Sequence, residues 1–298
     1  MRTKLERREH FSGLLFVAPL IAVLILVAGW PLARTLYFSF TDAYLDDSAN
    51  HVLIGFRNFV DVAGDPVWWR AVRNTAIFTA ISVAIETVLG LAIALLLHGA
   101  IPGRGLVRAA ILVPWAMPVV VSTKIWEWML NDQFGVVNRA IVGLGLADHG
   151  VAWVANGSLL LGVVIFIDVW MTTPFMVLLI LAGLQILPEE IFEAAEVDGI
   201  PWWKRLWSIT LPLLAPTIGV AVLFRVLDAL RMFDLAYVLA GANVNAMTMS
   251  IYARDRLINN QELGVGSAAS TMVFLLIALV AIFIVGAMRL DRSGAAER

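Results

Sequence analysis

The chain has no cysteine, only four histidines and four tyrosines, and just 15% charged residues among its 298. Without cysteine there is no disulfide, no thiolate metal site and no cysteine nucleophile. His10, His51, His98 and His149 are scattered over different loops and ends, so no histidine cluster is offered to a metal. The phosphate-cradling pattern GxxxxGK[ST] is missing, as are HExxH and GxSxG, which removes the usual signatures of ATP hydrolysis, zinc proteolysis and serine hydrolysis. Basic residues are dispersed rather than striped, which argues against a nucleic-acid surface. The net charge of −2 decides little, because in a membrane the placement of Lys and Arg matters more than their sum.

What the chain has in excess is apolar surface. It is 60% hydrophobic with a mean hydropathy of +0.85, and apolar runs long enough to cross a bilayer as helices recur along it. No series of alternating ten-residue segments points to a barrel. The fold class expected is therefore an all-α integral membrane protein. Six spans are read, at about 11–40, 72–97, 109–130, 158–187, 211–239 and 265–290, with short tails at 1–10 and 291–298. The basic start (Arg2, Lys4, Arg7, Arg8) precedes an apolar run too long for a signal peptide, and no small-residue cleavage site follows closely.

Positive residues sort by side. Arg2, Lys4, Arg7 and Arg8, then Arg104 and Arg108, Lys204 and Arg205, and Arg289, Arg292 and Arg298 fall together if both termini are cytoplasmic. Arg57, Arg70, Arg73, Arg139, Arg254 and Arg256 fall on or near the other side. Thr41–Arg70, Asn131–Asn156 (with a short helix near 135–146) and Gly241–Gly264 become outer segments, and Ile101–Arg108 a short basic turn.

Between spans four and five lies EAAEVDGIPWWKRLWSITLP, Glu193 to Pro212. Glu189 and Glu190 suit the positive end of a helix opened by Pro188, and Gly199 suits a left-handed stop. Pro201 can open a second short helix bearing Trp202, Trp203, Leu206 and Trp207. A helix-turn-helix here has no lipid-spanning task and reads as something offered to a partner.

Glu193, Ala194, Ala195, Gly199, Ile209, Leu211 and Pro212 match the EAA signature, and the chain resembles the membrane subunits of ABC importers. WEWMLNDQFGVVN (126–138), VWMTTPF (169–175) and FRVLDALRMFDLAYVLAG (224–241) extend the resemblance to carbohydrate permeases of the maltose, trehalose and glycerol-phosphate type. The resemblance implies a six-span type I importer permease fold (MetI-like), in a bacterial cytoplasmic membrane, with the loop at 188–210 as a cytoplasmic coupling helix. It implies that Glu193, Ala194, Ala195, Asp198, Gly199, Trp203, Leu211 and Pro212 meet an ATPase, with Ala194 and Ala195 allowing close approach. The partners implied are a second permease subunit in a heterodimer, two ATPase subunits that hold the ATP and Mg, and an extracytoplasmic sugar-binding protein. No cofactor or catalytic residue is expected on this chain.

Charged residues inside spans are costly and therefore candidates for function. Asp168, Thr172 and Phe175 share one face of span four, and Arg225, Asp228, Ala229 and Met232 one face of span five. The resemblance selects the same faces for the sugar and adds Met171. A carboxylate can accept sugar hydroxyls, an Arg can donate to several, and an aromatic face can stack on a pyranose ring. A second role is open for Asp228, pairing with Arg225 or Arg231 at i±3, whereas Asp168 has no local partner. Lys124 and Glu127 read as a structural pair, and Glu86 is ambiguous. The solute expected is a disaccharide such as trehalose or maltose, with polyols, modified monosaccharides and glycerol-phosphate compounds behind it. An ion-coupled carrier would also explain buried charge, but no internal repeat is evident and such a carrier needs no EAA loop. A lipid-acting membrane enzyme would rest on Asp168 and Asp228 alone.

Overall fold

Prolines and glycines set most helix starts and stops in this chain. The computed structural model describes residues 16–99 and 103–296. Arg2, Lys4, Arg7, Arg8 and Arg298 of the expected tails lie outside the described residues, as do 101 and 102 of the expected turn.

Two compact units are distinguished. The smaller holds the described residues up to Asp65 together with Ala253–Met272. Its first helix, α1 (Phe16–Phe38), contains one π-helical turn at Ile25–Gly29, and its apolar face is unburied in this chain. After it, Thr41 pairs with Leu53 in an antiparallel bridge, and α2 (Arg57–Gly64) follows. Asn58 is buried and donates to the Ser39 and Thr41 carbonyls at 3.0 and 2.7 Å. Gly264 donates to the Ala43 carbonyl, and a Cβ there would strike the Thr41 carbonyl and Asn58. Only glycine allows that approach. Arg256 closes the unit with ion pairs to Asp65 and Glu262.

The larger unit, Pro66–Tyr252 with the later part of the last helix, is built around α3 (Pro66–His98). There follow α4 (Arg104–Ala116), α5 (Val119–Met129), α6 (Val136–Gly143) and α7 (Gly157–Ile186). Next come α8 (Glu189–Val197), α9 (Trp202–Arg205), α10 (Leu211–Leu230), α11 (Asp234–Ala240), α12 (Met249–Arg254) and α13 (Leu263–Ala296), which starts in the smaller unit. The central helix is α7. Most of its apolar stretch is buried, against α3, α4 and α10. Ala94, Leu97, Val177, Ile180, Leu181, Leu184 and Leu214 form one core cluster between α3, α7 and α10. Small residues set the helix spacing, as is common between membrane helices. A Cβ on Gly90 would lie 2.8 Å from Met176 Cβ, and one on Gly183 would lie 2.6 Å from a Thr217 methyl.

Several expected boundaries shift. Span two begins at Pro66, where a proline without an N–H suits a first turn. The basic turn is largely helix, since α4 starts at Arg104 after Gly103 adopts φ +76°. Span three is a pair, α4 and α5, bent by 90° at Met117–Pro118, because Pro118 cannot donate and holds the preceding residue extended. Span four is unbroken despite Pro174. Thr172 and Thr173 bond their hydroxyls back to the Asp168 and Val169 carbonyls at 2.7 and 2.6 Å, supporting the turn that proline weakens. The second short helix is also not separate. From α9 a π turn at Leu206–Thr210 runs straight into α10, because Pro212 cannot bond to the Ser208 carbonyl and the widened turn absorbs its ring. The tail expected from 291 is helix through Ala296. Among the described residues, five helices are long and apolar enough to cross a membrane, six if the α4–α5 pair counts as one span.

Gly90→Val and Gly183→Val should each lower stability by about 1–3 kcal/mol through overpacking, read as a lower thermal midpoint in detergent. Gly162, where an added Cβ would meet no atom within 4 Å, should tolerate Ala unchanged or with a gain.

Candidate functional site

Three helices each bring one ionisable group to the same buried point. Glu86 comes from α3, Asp168 from α7 and Arg225 from α10, and all three are buried. Arg225 grips Glu86 with two nitrogens, Nε to Oε2 at 2.5 Å and Nη2 to Oε1 at 3.0 Å. Its Nη2 also donates to Asp168 Oδ2, and its Nη1 to Asp228 Oδ2 at 3.3 Å. The Thr172 hydroxyl also lies 2.7 Å from Glu86 Oε1, so its single proton is shared between that oxygen and the Asp168 carbonyl. Asp228 is half exposed, and its other oxygen takes Arg231 Nη2 at 3.1 Å. A bidentate guanidinium fixes both distance and plane, so the cluster ties α3, α7 and α10 together with directional bonds.

Beside the cluster is a cavity of about 320 Å³, lined by Asp168, Met171, Thr172, Arg225, Asp228 and Met232, and further by Val119, Arg231, Phe233, Asp234 and Leu235. Two expected residues are not brought to it. Phe175 lies two turns from Asp168, about 10 Å along the axis, and stacks instead on Trp115 with ring centroids 6.2 Å apart. Ala229 is fully buried; it shares the inward face of Arg225 but has no side chain long enough to reach out. The far wall comes from the break after α10. Arg231 ends the helix, Thr248 donates to the Met232 carbonyl at 2.9 Å, and Phe233 stacks on Tyr237.

Of the two readings open for Asp228, the pairing is present with both Arg225 and Arg231. Asp168 does have a partner, but one 57 residues away. Glu86 is the residue that sequence reasoning left undecided. A carboxylate in an apolar run is the signal; nothing in the sequence links it to Arg225, 139 positions on. Lys124 and Glu127 are paired at 2.6 Å on the exposed side of α5. Among the described residues, no group of three or more His, Asp or Glu side chains is arranged to hold a metal ion.

The second feature is the α8–α9 turn. Asp198, Gly199 (φ +66°) and Ile200 close α8 in a Schellman arrangement, with Ile200 N–H on the Ala195 carbonyl at 2.9 Å and Gly199 N–H on Glu196 at 3.0 Å. Glu193, Ala194, Asp198, Gly199, Trp203 and Pro212 are exposed, and Leu211 is half-buried. The indoles of Trp202, Trp203 and Trp207 project outward. Ala195 is the exception. It is buried within the chain, so it cannot also serve a partner face as expected; its small size serves packing inside this subunit.

Residues 86–292 match a family described as binding-protein-dependent transport system inner membrane component. The chain is 37% identical over 93% of both chains to the trehalose/maltose transport system permease protein MalF of Thermococcus litoralis. It is 38% identical to the trehalose transport system permease protein SugA of Mycobacterium tuberculosis, over 94% of this chain and 89% of that one. A solved bacterial alginate ABC transporter, in complex with an alginate pentasaccharide-bound periplasmic protein, has a chain of the same fold. The TM-score is 0.80 at 21% identity, over 95% of this chain and 96% of that one.

Arg225→Met leaves two buried carboxylates without their cation and should cost about 3–5 kcal/mol, whereas Arg225→Met combined with Glu86→Met should recover part of that loss. Arg231→Ala, at the exposed end, should stay within about 1 kcal/mol. Thermal unfolding of the purified subunit ranks the three.

Proposed function

The chain belongs to the binding-protein-dependent transport system inner membrane components, and from that premise we propose that it forms half of a sugar pathway driven by ATP hydrolysed elsewhere. The carrying observation is the polar cavity at Asp168, Arg225 and Asp228 in an otherwise apolar helix bundle. Charge inside a membrane is retained where it lines a path for polar solute. The names of the two relatives support a disaccharide such as trehalose or maltose. Free carboxylate edges and the Phe233–Tyr237 stack suit a hydroxyl-rich ring.

In this reading Asp168, Met171, Thr172, Arg225, Asp228 and Met232 face the solute. Phe175 and Ala229 act behind the wall. The chain pairs with a second permease subunit, both termini are cytoplasmic, and an extracytoplasmic binding protein delivers the sugar. Two ATPase subunits, which hold ATP and Mg, engage the exposed turn through Glu193, Ala194, Asp198, Gly199 and Trp203, a helix-in-groove contact. Leu211 and Pro212 pass its movement into α10. The cavity then opens alternately to each side.

Two measurements test this. In vesicles holding the subunit with its permease and ATPase partners, sugar-loaded binding protein should stimulate ATP hydrolysis and sugar accumulation together. Uptake driven by an ion gradient, by this chain alone, would sink the proposal. Gly199→Val places a β-branched residue at positive φ and costs roughly 1–3 kcal/mol locally. It should lower uptake at least tenfold, with the midpoint of thermal unfolding of the α3–α7 core little changed.

A further inference from the structure

We propose that the cavity beside Arg225 excludes anions. It admits neutral or amino-bearing sugars and rejects phosphorylated, sulfated or uronic ones, with Glu86 supplying part of the selecting charge from behind the wall. The proposal rests on the sugar-import reading for its solute, but its charge argument stands on the geometry alone.

Asp168, Asp228 and Asp234 line the cavity, against Arg225 and Arg231. Glu86 lies directly behind, bonded to Arg225 and Thr172. Four carboxylates thus oppose two guanidiniums, and one bound proton would still leave the balance negative. The buried cation is also largely engaged. Four of the five N–H groups of Arg225 already donate to carboxylates, Nε and Nη2 to Glu86, Nη2 to Asp168 and Nη1 to Asp228. Arg231, the other cation, is mostly exposed and is held by Asp228. A phosphate or sulfonate entering here would meet acceptors where it needs donors. A sugar hydroxyl or an ammonium would meet partners. On the side of Arg225, Asp168 and Met171 the wall is buried, and there this field is screened less than it would be in open water.

Glu86 has a distinct place in this scheme. It touches no solute, and its bidentate hold occupies Arg225 Nε and one Nη2 proton while leaving its own charge within reach of the cavity. It is a positioning residue and a field source, and removal of its charge should alter selectivity without removing a solute contact.

The absence of cysteine in this chain supplies the probe. Met232 lines the cavity and is half-buried, so Met232→Cys puts the subunit's one thiol there. The complete transporter, in vesicles, would be reacted with two methanethiosulfonates of similar size, one bearing a trimethylammonium and the other a sulfonate. Mass spectrometry of this subunit gives each rate, normalised to a free thiol in solution. The cationic reagent should react roughly tenfold faster or more, given unit charges within a few ångströms in a partly dry cavity. Adding Glu86→Gln should cut that ratio several-fold, and so should Asp234→Asn, which touches no buried bond and keeps the test alive if the Glu86 variant does not fold. Equal rates, a faster anionic reagent, or a ratio unmoved by either substitution would overturn the proposal. A thiol reached by neither reagent would overturn it too, because the cavity would then be closed to charge of both signs. Uptake is not read, so failure here is separable from failure of the import reading.

Discussion

A single guanidinium shared by three carboxylates is the constraint on which the helix arrangement depends. Arg225 could not be buried in an apolar bundle unless most of its donors were met, and four of its five N–H groups are met by carboxylates from three places in the chain. The arrangement works in the other direction as well. Glu86 and Asp168 are tolerable at their depth only because Arg225 lies between them. Apolar packing of α3 on α7 could slide by a turn at modest cost, since Leu, Ile and Val side chains interdigitate in more than one register. A bidentate bond cannot slide. The cluster therefore fixes the register of three helices whose contacts are otherwise non-directional, and the close approaches at Gly90 and Gly183 then become possible.

The distribution of burial follows from this. The charge-bearing helix α7 is enclosed, while α1 and most of α13 present apolar side chains outward. In water such surfaces would drive aggregation; in a bilayer they are solvated by lipid. Within the larger unit the charged cluster is enclosed by apolar helices.

Much of this was legible in the sequence. The spans follow from apolar length, and the α8 stop from Gly199, whose φ is positive as a Schellman closure requires. The cavity faces follow from helical spacing for Asp168, Thr172, Arg225, Asp228 and Met232. The rest was hidden for identifiable reasons. Periodicity gives an angle around a helix but not a depth along it, which is why Phe175 shares a face with Asp168 and still misses the cavity. It cannot tell an inward Ala from a cavity-lining one, and Ala229 and Ala195 are both buried within the chain. Long-range partners leave no trace in one sequence, which is why Glu86 alone does not point to Arg225. Proline signals were also ambiguous. Pro118 bends its pair by 90°, Pro174 leaves α7 continuous, and Pro212 produces a π turn. Pro174 leaves only the Trp170 carbonyl without its donor in an otherwise regular helix, whereas the ring of Pro212 is accommodated by a widened turn.

Because α9, the π turn and α10 follow one another without a loop, Trp203 and Arg225 are about 33 Å apart along one continuous helical stretch. Its two ends differ in character, one aromatic and outward, the other charged and buried.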